Sequence, residues 1–187
     1  KLYAAKVIEC WDKKEQCDKM INREVNIMFS CKHPTIIKII GYSNKDFLNE
    51  NNIVIIMELA KNGSLYDVIK SIIQGSGPKD FTNTTKQIIL AGIARGMKYL
   101  HYHSIIHRDL KLGNILLDDD FHPLITDFGL SKFYELGNSY SQSQYGGTII
   151  YQAPELLKNA PYDTKVDVYA FGILMYEIIN DKFAYPE

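Results

Sequence analysis

The sequence lacks an excess of either charge and has no long apolar run. Its 187 residues include 21 Lys and Arg against 22 Asp and Glu, so the formal net charge is -1. This balance does not indicate a nucleic-acid-binding surface, and no block of acidic residues forms a tail. The longest apolar runs, such as Ile53 to Met57, are much too short to cross a bilayer. We therefore expect neither a nucleic-acid partner nor a membrane contact in this stretch.

Cysteine is also scarce. Cys10, Cys17 and Cys31 are odd in number, and their spacing matches no zinc-binding pattern. Free thiols are typical of a reducing compartment, which favours a cytoplasmic or other intracellular location. The length suits one domain with a sizeable core, and an apolar share of 46% is ordinary for a globular chain.

One eight-residue run, His107 to Asn114, carries most of the functional information. It spells His-Arg-Asp-Leu-Lys-Leu-Gly-Asn and fits the pattern H-R-D-L-x-x-x-N at every specified position. An Asp-Phe-Gly triplet at residues 127–129 and an Ala-Pro-Glu triplet at residues 153–155 follow in that order, and Lys6 precedes them. With these motifs, the chain resembles the eukaryotic protein kinase family, of the serine/threonine type, over essentially its whole length.

The resemblance implies an α+β fold with two lobes. Residues 1–59 would form a small lobe, mostly β with one helix, and residues 60–187 a mainly helical large lobe. The hinge between them would lie near Glu58 to Lys61. The family's glycine-rich loop should precede Lys6 and further helices should follow Asn180, so we expect both lobes to be incomplete. We also expect this stretch by itself to aggregate and to be weakly active or inactive.

Hydrophobic periodicity predicts the individual elements. Alternating or continuous apolar residues predict three strands: Leu2–Ile8, Ile36–Gly41 and Ile53–Leu59. Helical spacing and capping residues predict four helices: Lys19–Phe29, Ser64 to Ile73, Thr84 or Thr85 to near His103, and Thr164–Asn180. The last helix is apolar nearly all round, which predicts burial on most sides.

Phosphoryl transfer from ATP requires a positioned hydroxyl, metal ions on the phosphates and positive charge near the developing negative charge. The resemblance implies that Asp109 is the catalytic base and that Lys111 steadies the γ-phosphate, as in serine/threonine kinases. Asn114 and Asp127 are the implied Mg²⁺ ligands, since carboxylate and amide oxygens suit that ion. The implied substrates are Mg-ATP and a protein.

Lys6 is implied to pair with the α- and β-phosphates of ATP and with a glutamate of the first helix. Glu24 is our choice for that glutamate, because it lies mid-helix between apolar residues. Glu9 and Glu15 are alternatives, but they lie too close to the end of the strand.

Four further residues complete the implied ATP-binding set. Met57 would guard the back of the adenine pocket, and Glu58 and Ala60 lie where the family's hinge faces the adenine. Leu116 is assigned to the same set.

Other residues are implied to support the site rather than react. His107 and Phe128 would stack in a hydrophobic column with Met28 and Ile39. Asp167 would hold the backbone of the catalytic loop, because a buried carboxylate needs donors.

The stretch from Asp127 to Glu155 corresponds to the family's activation segment. Arg108 would help to receive a phosphate on this segment, although a serine-rich loop without a switching role is the alternative. Thr148 is implied to bond to the catalytic loop. The other hydroxyl residues are Ser139, Tyr140, Ser141, Ser143 and Tyr145.

Two other functions stay open at this level. A pseudokinase-like scaffold would bind partners without transferring phosphate, although the implied base, metal ligands and strand lysine are all present. A tyrosine or dual-specificity kinase is disfavoured by Lys111 and Thr148. The run Val166 to Gly172 resembles the tyrosine-kinase-like group of serine/threonine kinases.

Overall fold

A computed structural model describes residues 2–8, 25–50, 52–128, 131–133 and 148–185. Its first sheet is antiparallel, with the strand order β1-β3-β2. The strands are β1 (Tyr3–Ile8), β2 (Ile39–Ser43) and β3 (Ile53–Glu58). The three predicted strands are confirmed, but β2 begins later than expected. The reason is that Ile36 forms a parallel bridge with Ile125, outside this sheet.

The first helix, α1, is described over residues 25–30, and the earlier part of the predicted helix lies outside the described residues. Val25, Ile27 and Met28 are buried, so α1 places its apolar residues in the core. Cys31 follows as a half-buried free thiol. Burial raises the pKa of this thiol.

The short helix α2 (Leu65–Ile73) begins at the predicted cap. The Ser64 side chain accepts a hydrogen bond from the Asp67 amide at 3.1 Å, which satisfies one free donor of the first turn. Leu65 and Ile69 are fully buried, and they anchor α2 on the core.

The long helix α3 (Asn83–Tyr102) is capped by Thr82, so the prediction of Thr84 or Thr85 as the cap was wrong. Thr82 Oγ1 accepts a hydrogen bond from the Thr85 amide, and Thr85 Oγ1 accepts one from the Thr82 amide, both at 3.3 Å. This reciprocal capping box satisfies two donors at once, which favours Thr82 over its neighbours.

Short strands and two more helices complete the described chain. β4 (Ile105–Ile106) pairs with β7 (Lys132–Phe133), and β5 (Ile115–Leu117) pairs with β6 (Pro123–Ile125), both antiparallel. The helices are α4 (Pro154–Leu157) and α5 (Lys165–Asn180).

α3 approaches β6 so closely that two of its positions require glycine. A Cβ atom at Gly96 would lie 2.6 Å from Ile125 Cδ1 and 2.6 Å from Thr35 Oγ1. A Cβ atom at Gly92 would lie 2.5 Å from Pro123 Cγ. A side chain at either position would push on β6, so these glycines let α3 fix the strand that leads to Asp127.

The last helix differs from its prediction. Val166, Leu174 and Ile178 are buried, but Val168 is 60% exposed and Ile179 is 56% exposed. The prediction of burial on most sides was therefore wrong for the described part of the chain. The physical reason is that α5 packs on one side only, mainly against α3 and the turn at residues 149–151.

One hydrophobic cluster joins residues of the sheet, α1, α2, α3 and α5. The combination of a small β-sheet region and several helices confirms the α+β, kinase-like fold class. The division into lobes at residue 59 stays a prediction.

Candidate active site

The catalytic-loop sequence lies between β4 and β5, and Asp167 at the start of α5 holds its backbone. Asp167 Oδ2 accepts a hydrogen bond from the His107 amide at 2.9 Å, and Oδ1 accepts one from the Arg108 amide at 2.8 Å. Arg108 has a φ of 67°, in the left-handed region that non-glycine residues rarely adopt. Asp167 is 1% exposed, so these two bonds compensate its burial. The predicted contact of Asp167 with the loop is confirmed.

Asp109 lies at the centre of a network of three donors. Its Oδ2 accepts hydrogen bonds from Lys111 Nζ and from Asn114 Nδ2, each at 2.8 Å. Its Oδ1 accepts a longer bond of 3.3 Å from the Thr148 amide. The residue is 8% exposed. The carboxylate is thus fixed in orientation, and Oδ1 is its less occupied oxygen.

Lys111 connects the loop to Thr148. Its Nζ donates to Thr148 Oγ1 at 3.1 Å as well as to the Asp109 carboxylate. The predicted bond between Thr148 and the catalytic loop is confirmed, through both the hydroxyl and the amide of Thr148.

Asn114 and Asp127 are placed by the β5–β6 hairpin. Asn114 directly precedes β5, and Thr126 directly follows β6. The Thr126 amide donates to the Asn114 carbonyl at 3.0 Å, which extends the pairing of the two strands by one residue on each. Asp127 is therefore one residue from a backbone contact with Asn114. It has a φ of 64°, which turns the chain at this point.

Lys6, on β1, reaches this hairpin. Its Nζ lies 3.1 Å from Asp127 Oδ1, and both side chains are partly exposed, at 38% and 41%. The sheet and the hairpin thus bring a cation and a carboxylate together at one partly open position. Glu24, the predicted partner of Lys6, lies outside the described residues.

The donor set suits Mg²⁺ better than a metal that needs a full set of protein ligands. The described residues contain no cluster of three or more His, Cys, Asp or Glu side chains that could hold a metal ion. Mg²⁺, however, usually keeps several waters and binds one or two carboxylates together with substrate phosphates. Asn114 donates its Nδ2 to Asp109, which leaves its amide oxygen for a cation. Asp127 could supply the carboxylate.

His107 and Phe128 form a buried ring contact, with their planes inclined by 58°. Their ring centroids are 5.1 Å apart, and they are 0% and 1% exposed. His107 Nδ1 accepts from the Asp109 amide at 3.3 Å, and Nε2 lies 3.0 Å from the Thr126 carbonyl. Both contacts are met when the proton is on Nε2. Met28 and Ile39 are buried in the same hydrophobic cluster as Phe128. Their stacking with Phe128 and His107 in one column stays a prediction.

The predicted adenine-binding residues lie at the end of β3 and beside β5. Met57 is buried. The Glu58 amide donates to the Lys38 carbonyl at 3.0 Å, and Glu58 Oε1 accepts a hydrogen bond from the Lys38 amide at 2.7 Å. In the turn after Ala60, the Asn62 amide donates a hydrogen bond to the Leu117 carbonyl at 3.2 Å. This bond brings the predicted hinge against β5.

Leu116 lies in that strand opposite Leu124 and is half-buried. Like Ala60, it packs against the main hydrophobic cluster. The hydroxyl residues 139–145 of the predicted activation segment lie outside the described residues.

Two interactions were not predicted from the sequence. The first joins His101 to Asp167, with 2.8 Å between Nε2 and Oδ2. Glu177, which the sequence analysis did not single out, is fully buried. Its Oε2 accepts from the Tyr151 hydroxyl at 2.6 Å and its Oε1 from the Ala184 amide at 3.0 Å. An acidic residue between Tyr176 and Ile178, in a largely apolar stretch of α5, is a signal that could have identified Glu177.

Burial affects both members of the Tyr151–Glu177 pair. It raises the pKa of the Glu177 carboxyl above its ordinary value, although the bonds from Tyr151 and Ala184 act in the opposite direction. Burial, followed by the bond to Glu177, raises the pKa of the Tyr151 phenol. This pair is therefore a buried polar link between α5 and the turn that follows Thr148.

No helix in the described part of the chain combines the length and the apolar character needed to cross a membrane.

Comparisons with known proteins agree with this geometry. The family model described as "Protein kinase domain" matches residues 1–187. A "Probable serine/threonine-protein kinase" of Dictyostelium discoideum is 39% identical over 173 residues, which are 91% of this chain and 16% of the relative.

Two relatives from Arabidopsis thaliana are also similar. A "Probable LRR receptor-like serine/threonine-protein kinase" is 34% identical over 185 residues, covering 97% of this chain and 18% of the relative. A "Probable serine/threonine-protein kinase" is 37% identical over 165 residues, covering 86% of this chain and 42% of the relative. The chain spans less than half the length of these relatives. Because the family model covers every residue, the chain belongs to the protein kinase domain family.

Proposed function

We propose that the protein transfers the γ-phosphate of Mg-ATP to serine or threonine hydroxyls of protein substrates. The observation that carries this proposal is the network around Asp109. Lys111, Asn114 and Thr148 each donate a hydrogen bond to the Asp109 carboxylate. Lys111 also donates to the Thr148 hydroxyl, so the network forms one partly buried site. Phosphoryl transfer depends mainly on positioning and electrostatic stabilisation, and this network supplies both.

Asp109 would act as the base. Two donors at 2.8 Å occupy Oδ2, whereas Oδ1 has a single contact at 3.3 Å. We assign Oδ1 to the acceptor hydroxyl, because it is the oxygen with room for another hydrogen bond. A base must lie within hydrogen-bonding reach of the proton that it accepts.

Lys111 would stabilise the transferred phosphoryl group. Its ammonium group lies beside the base and is held by Thr148. Positive charge near the oxygens on which charge develops lowers the barrier in a preorganised site.

Asn114, Asp127 and Lys6 would bind the nucleotide phosphates and the metal. The Asn114 amide oxygen and the Asp127 carboxylate would hold Mg²⁺. When bound, that ion would supply positive charge that offsets the negative charge of the phosphates. Lys6, already beside Asp127, would contact the α- and β-phosphates. Glu24 would hold Lys6, while Met57, Glu58, Ala60 and Leu116 would line the adenine pocket.

Selectivity for serine and threonine is supported by Lys111 and Thr148. Their mutual contact occupies the position next to the base. The named relatives carry serine/threonine-protein kinase names as well. A cytoplasmic or other intracellular location is part of this proposal, since the reaction uses intracellular ATP.

The test is phosphate transfer from labelled ATP to a mixed protein substrate, followed by identification of the phosphorylated amino acid. It is measured on a chain extended at both ends, because this stretch by itself is expected to be weakly active or inactive. Asp109→Asn should lower turnover at least about a hundredfold, because a positioned base contributes typically 10²–10⁴-fold. ATP binding, measured by calorimetry, should persist.

Asp120→Asn makes the same chemical change at an exposed turn and should leave turnover intact. Near-normal turnover of Asp109→Asn would reject the role of Asp109. ATP binding without any transfer would favour the scaffold alternative.

A further inference from the structure

A cavity of about 390 Å³ opens beside the catalytic loop. Four of its lining residues are aromatic: Tyr66, Tyr151, Phe183 and Tyr185. They come from α2, from the turn after Thr148 and from the segment after α5. We call this cavity the aromatic pocket. Its volume is within the range of pockets that bind small molecules or single large side chains.

The aromatic wall is ordered by contacts within the chain. The rings of Tyr66 and Phe183 are stacked, with centroids 5.1 Å apart and an interplanar angle of 19°. Tyr185 is 49% exposed. The pocket therefore offers apolar ring surface that a ligand could cover, and covering such surface is favourable.

The charged residues of the pocket are already engaged. Glu177 has no exposed surface, and both of its carboxylate oxygens accept hydrogen bonds from within the chain. Lys111 donates to Asp109 and to Thr148. Because Glu177 has no exposed surface, a basic ligand could reach its carboxylate only by displacing the groups that cover it, and it would meet the Lys111 ammonium group. The pocket thus favours an apolar occupant.

The pocket is continuous with the proposed active site. Lys111 and Thr148 line it, and both contact the Asp109 carboxylate. A group bound in the pocket would therefore lie next to the hydroxyl that Asp109 activates. In an extended peptide each residue adds about 3.3 Å, so a side chain in the pocket would belong to one of the few residues nearest the phosphorylated one.

We propose that the aromatic pocket binds one large apolar side chain, such as phenylalanine or leucine, within three residues of the phosphorylated serine or threonine. This inference rests on the proposed function, because it names the class of protein substrate that the same site accepts.

Peptides with a single serine test the proposal. All flanking positions are alanine, and each of the three positions on either side is replaced in turn by Phe, Arg or Glu. At one position, Phe should raise kcat/KM about tenfold or more over both Ala and Arg, as is typical of an apolar group that gains a pocket. Preference for Arg at every responsive position, or no preference at all, would overturn the proposal.

Two variants locate the preference in the pocket. Tyr185→Ala removes part of the half-exposed wall and should reduce the advantage of Phe several-fold. Tyr102→Ala makes the same change at an 83% exposed position on α3 and should keep that advantage. If Tyr185→Ala and Tyr102→Ala behave alike, the pocket does not select the side chain.

A third variant adds charge without crowding. A Cβ atom at Gly113 would have Lys111 Cε, at 3.9 Å, as its nearest neighbour. Gly113→Glu therefore has room for a carboxylate at the wall of the pocket. It should shift the preference at the same peptide position from Phe towards Arg. An unchanged preference for Phe would contradict the assigned location.

Binding separates this inference from the proposed reaction. The Phe and Ala peptides are prepared with alanine in place of serine, and their Kd values are measured by fluorescence polarisation. Tighter binding of the Phe peptide, weakened by Tyr185→Ala, supports the pocket even if no phosphate is transferred; the proposed function then fails alone. Phosphate transfer with equal binding of both peptides overturns the pocket alone.

Discussion

The Asp167 carboxylate accepts a hydrogen bond from the Arg108 amide at 2.8 Å. Arg108 is the residue of the catalytic loop whose backbone is in the left-handed region. The bond spans 59 positions of the sequence and ends one residue before the proposed base. A strained backbone persists only where the surroundings hold it in place. Asp167 therefore fixes the conformation from which Asp109 is presented.

Asp167→Asn should destabilise the protein and lower its turnover. The amide nitrogen of asparagine would replace one acceptor, so one buried backbone donor would lose its partner, at a cost of about 1–3 kcal/mol in the free energy of unfolding. Urea denaturation measures this loss. Asp80→Asn, at an exposed position, should change the free energy of unfolding by less than about 0.5 kcal/mol. Equal stability of the two variants would show that Asp167 does not hold the loop.

Thr148→Ala should lower kcat/KM through the loss of one hydrogen bond to the Lys111 ammonium group. A bond to a charged group contributes about 1.5–3 kcal/mol. That corresponds to a loss of roughly tenfold to a hundredfold in rate. Thr148→Ser keeps the hydroxyl and should retain most of the activity. Steady-state kinetics of the two variants gives the comparison, and equal activity would exclude a role for the hydroxyl.

Lys6→Met and Glu24→Gln should be strongly non-additive. If the two side chains form one ion pair, removing the second partner costs little once the first is gone. The measurement is kcat/KM for both single variants and for the double variant. A double variant whose loss equals the sum of the single losses, in free energy, would exclude the pairing with Glu24 and favour Glu9 or Glu15.

Glu177 should make the protein less stable as the pH rises. Burial raises the carboxyl pKa in the folded state above its ordinary value of 4.5, so the folded protein holds this proton more tightly than the unfolded chain. The stability linked to this group is full below the unfolded pKa and falls as the pH rises through the folded pKa.

Glu177→Gln isolates that effect, because the variant has no proton to lose at this position. The free energy of unfolding of the variant, relative to the unchanged protein, should increase between pH 4 and pH 8 when measured by urea denaturation. A relative stability that is constant over this range would mean that Glu177 ionises equally easily in the folded and unfolded states.

Through the family resemblance, the sequence predicted that Asp109, Lys111 and Asn114 share one loop site, and the structure brings the three side chains together. Their chemical roles stay a prediction. The sequence was also sufficient for the support from Asp167, through the family resemblance. It was insufficient for the Tyr151–Glu177 link, since a pair separated by 26 positions leaves no local pattern.

The two incorrect predictions have distinct physical causes. Three threonines lie near the start of α3, and only the reciprocal bonds between Thr82 and Thr85 decide which of them is the cap. In α5, the apolar composition predicted burial on most sides, but burial depends on which neighbours are present at each face. Val168 and Ile179 are exposed for that reason.

The β5–β6 hairpin makes the proposed metal site tolerant of insertions in its turn but sensitive to a shift in strand register. Backbone pairing, continued by the bond between Thr126 and Asn114, sets the spacing of the two ligands, whereas the turn at residues 118–122 lies at the other end of the strands, where it contacts Lys61 and Asn62. Insertions in that turn can therefore accumulate without separating the ligands. A slip of the strands by one residue would turn their side chains to the opposite faces and disrupt the site at once. Natural variation in this hairpin should accordingly appear as changes in loop length, never as changes in strand register.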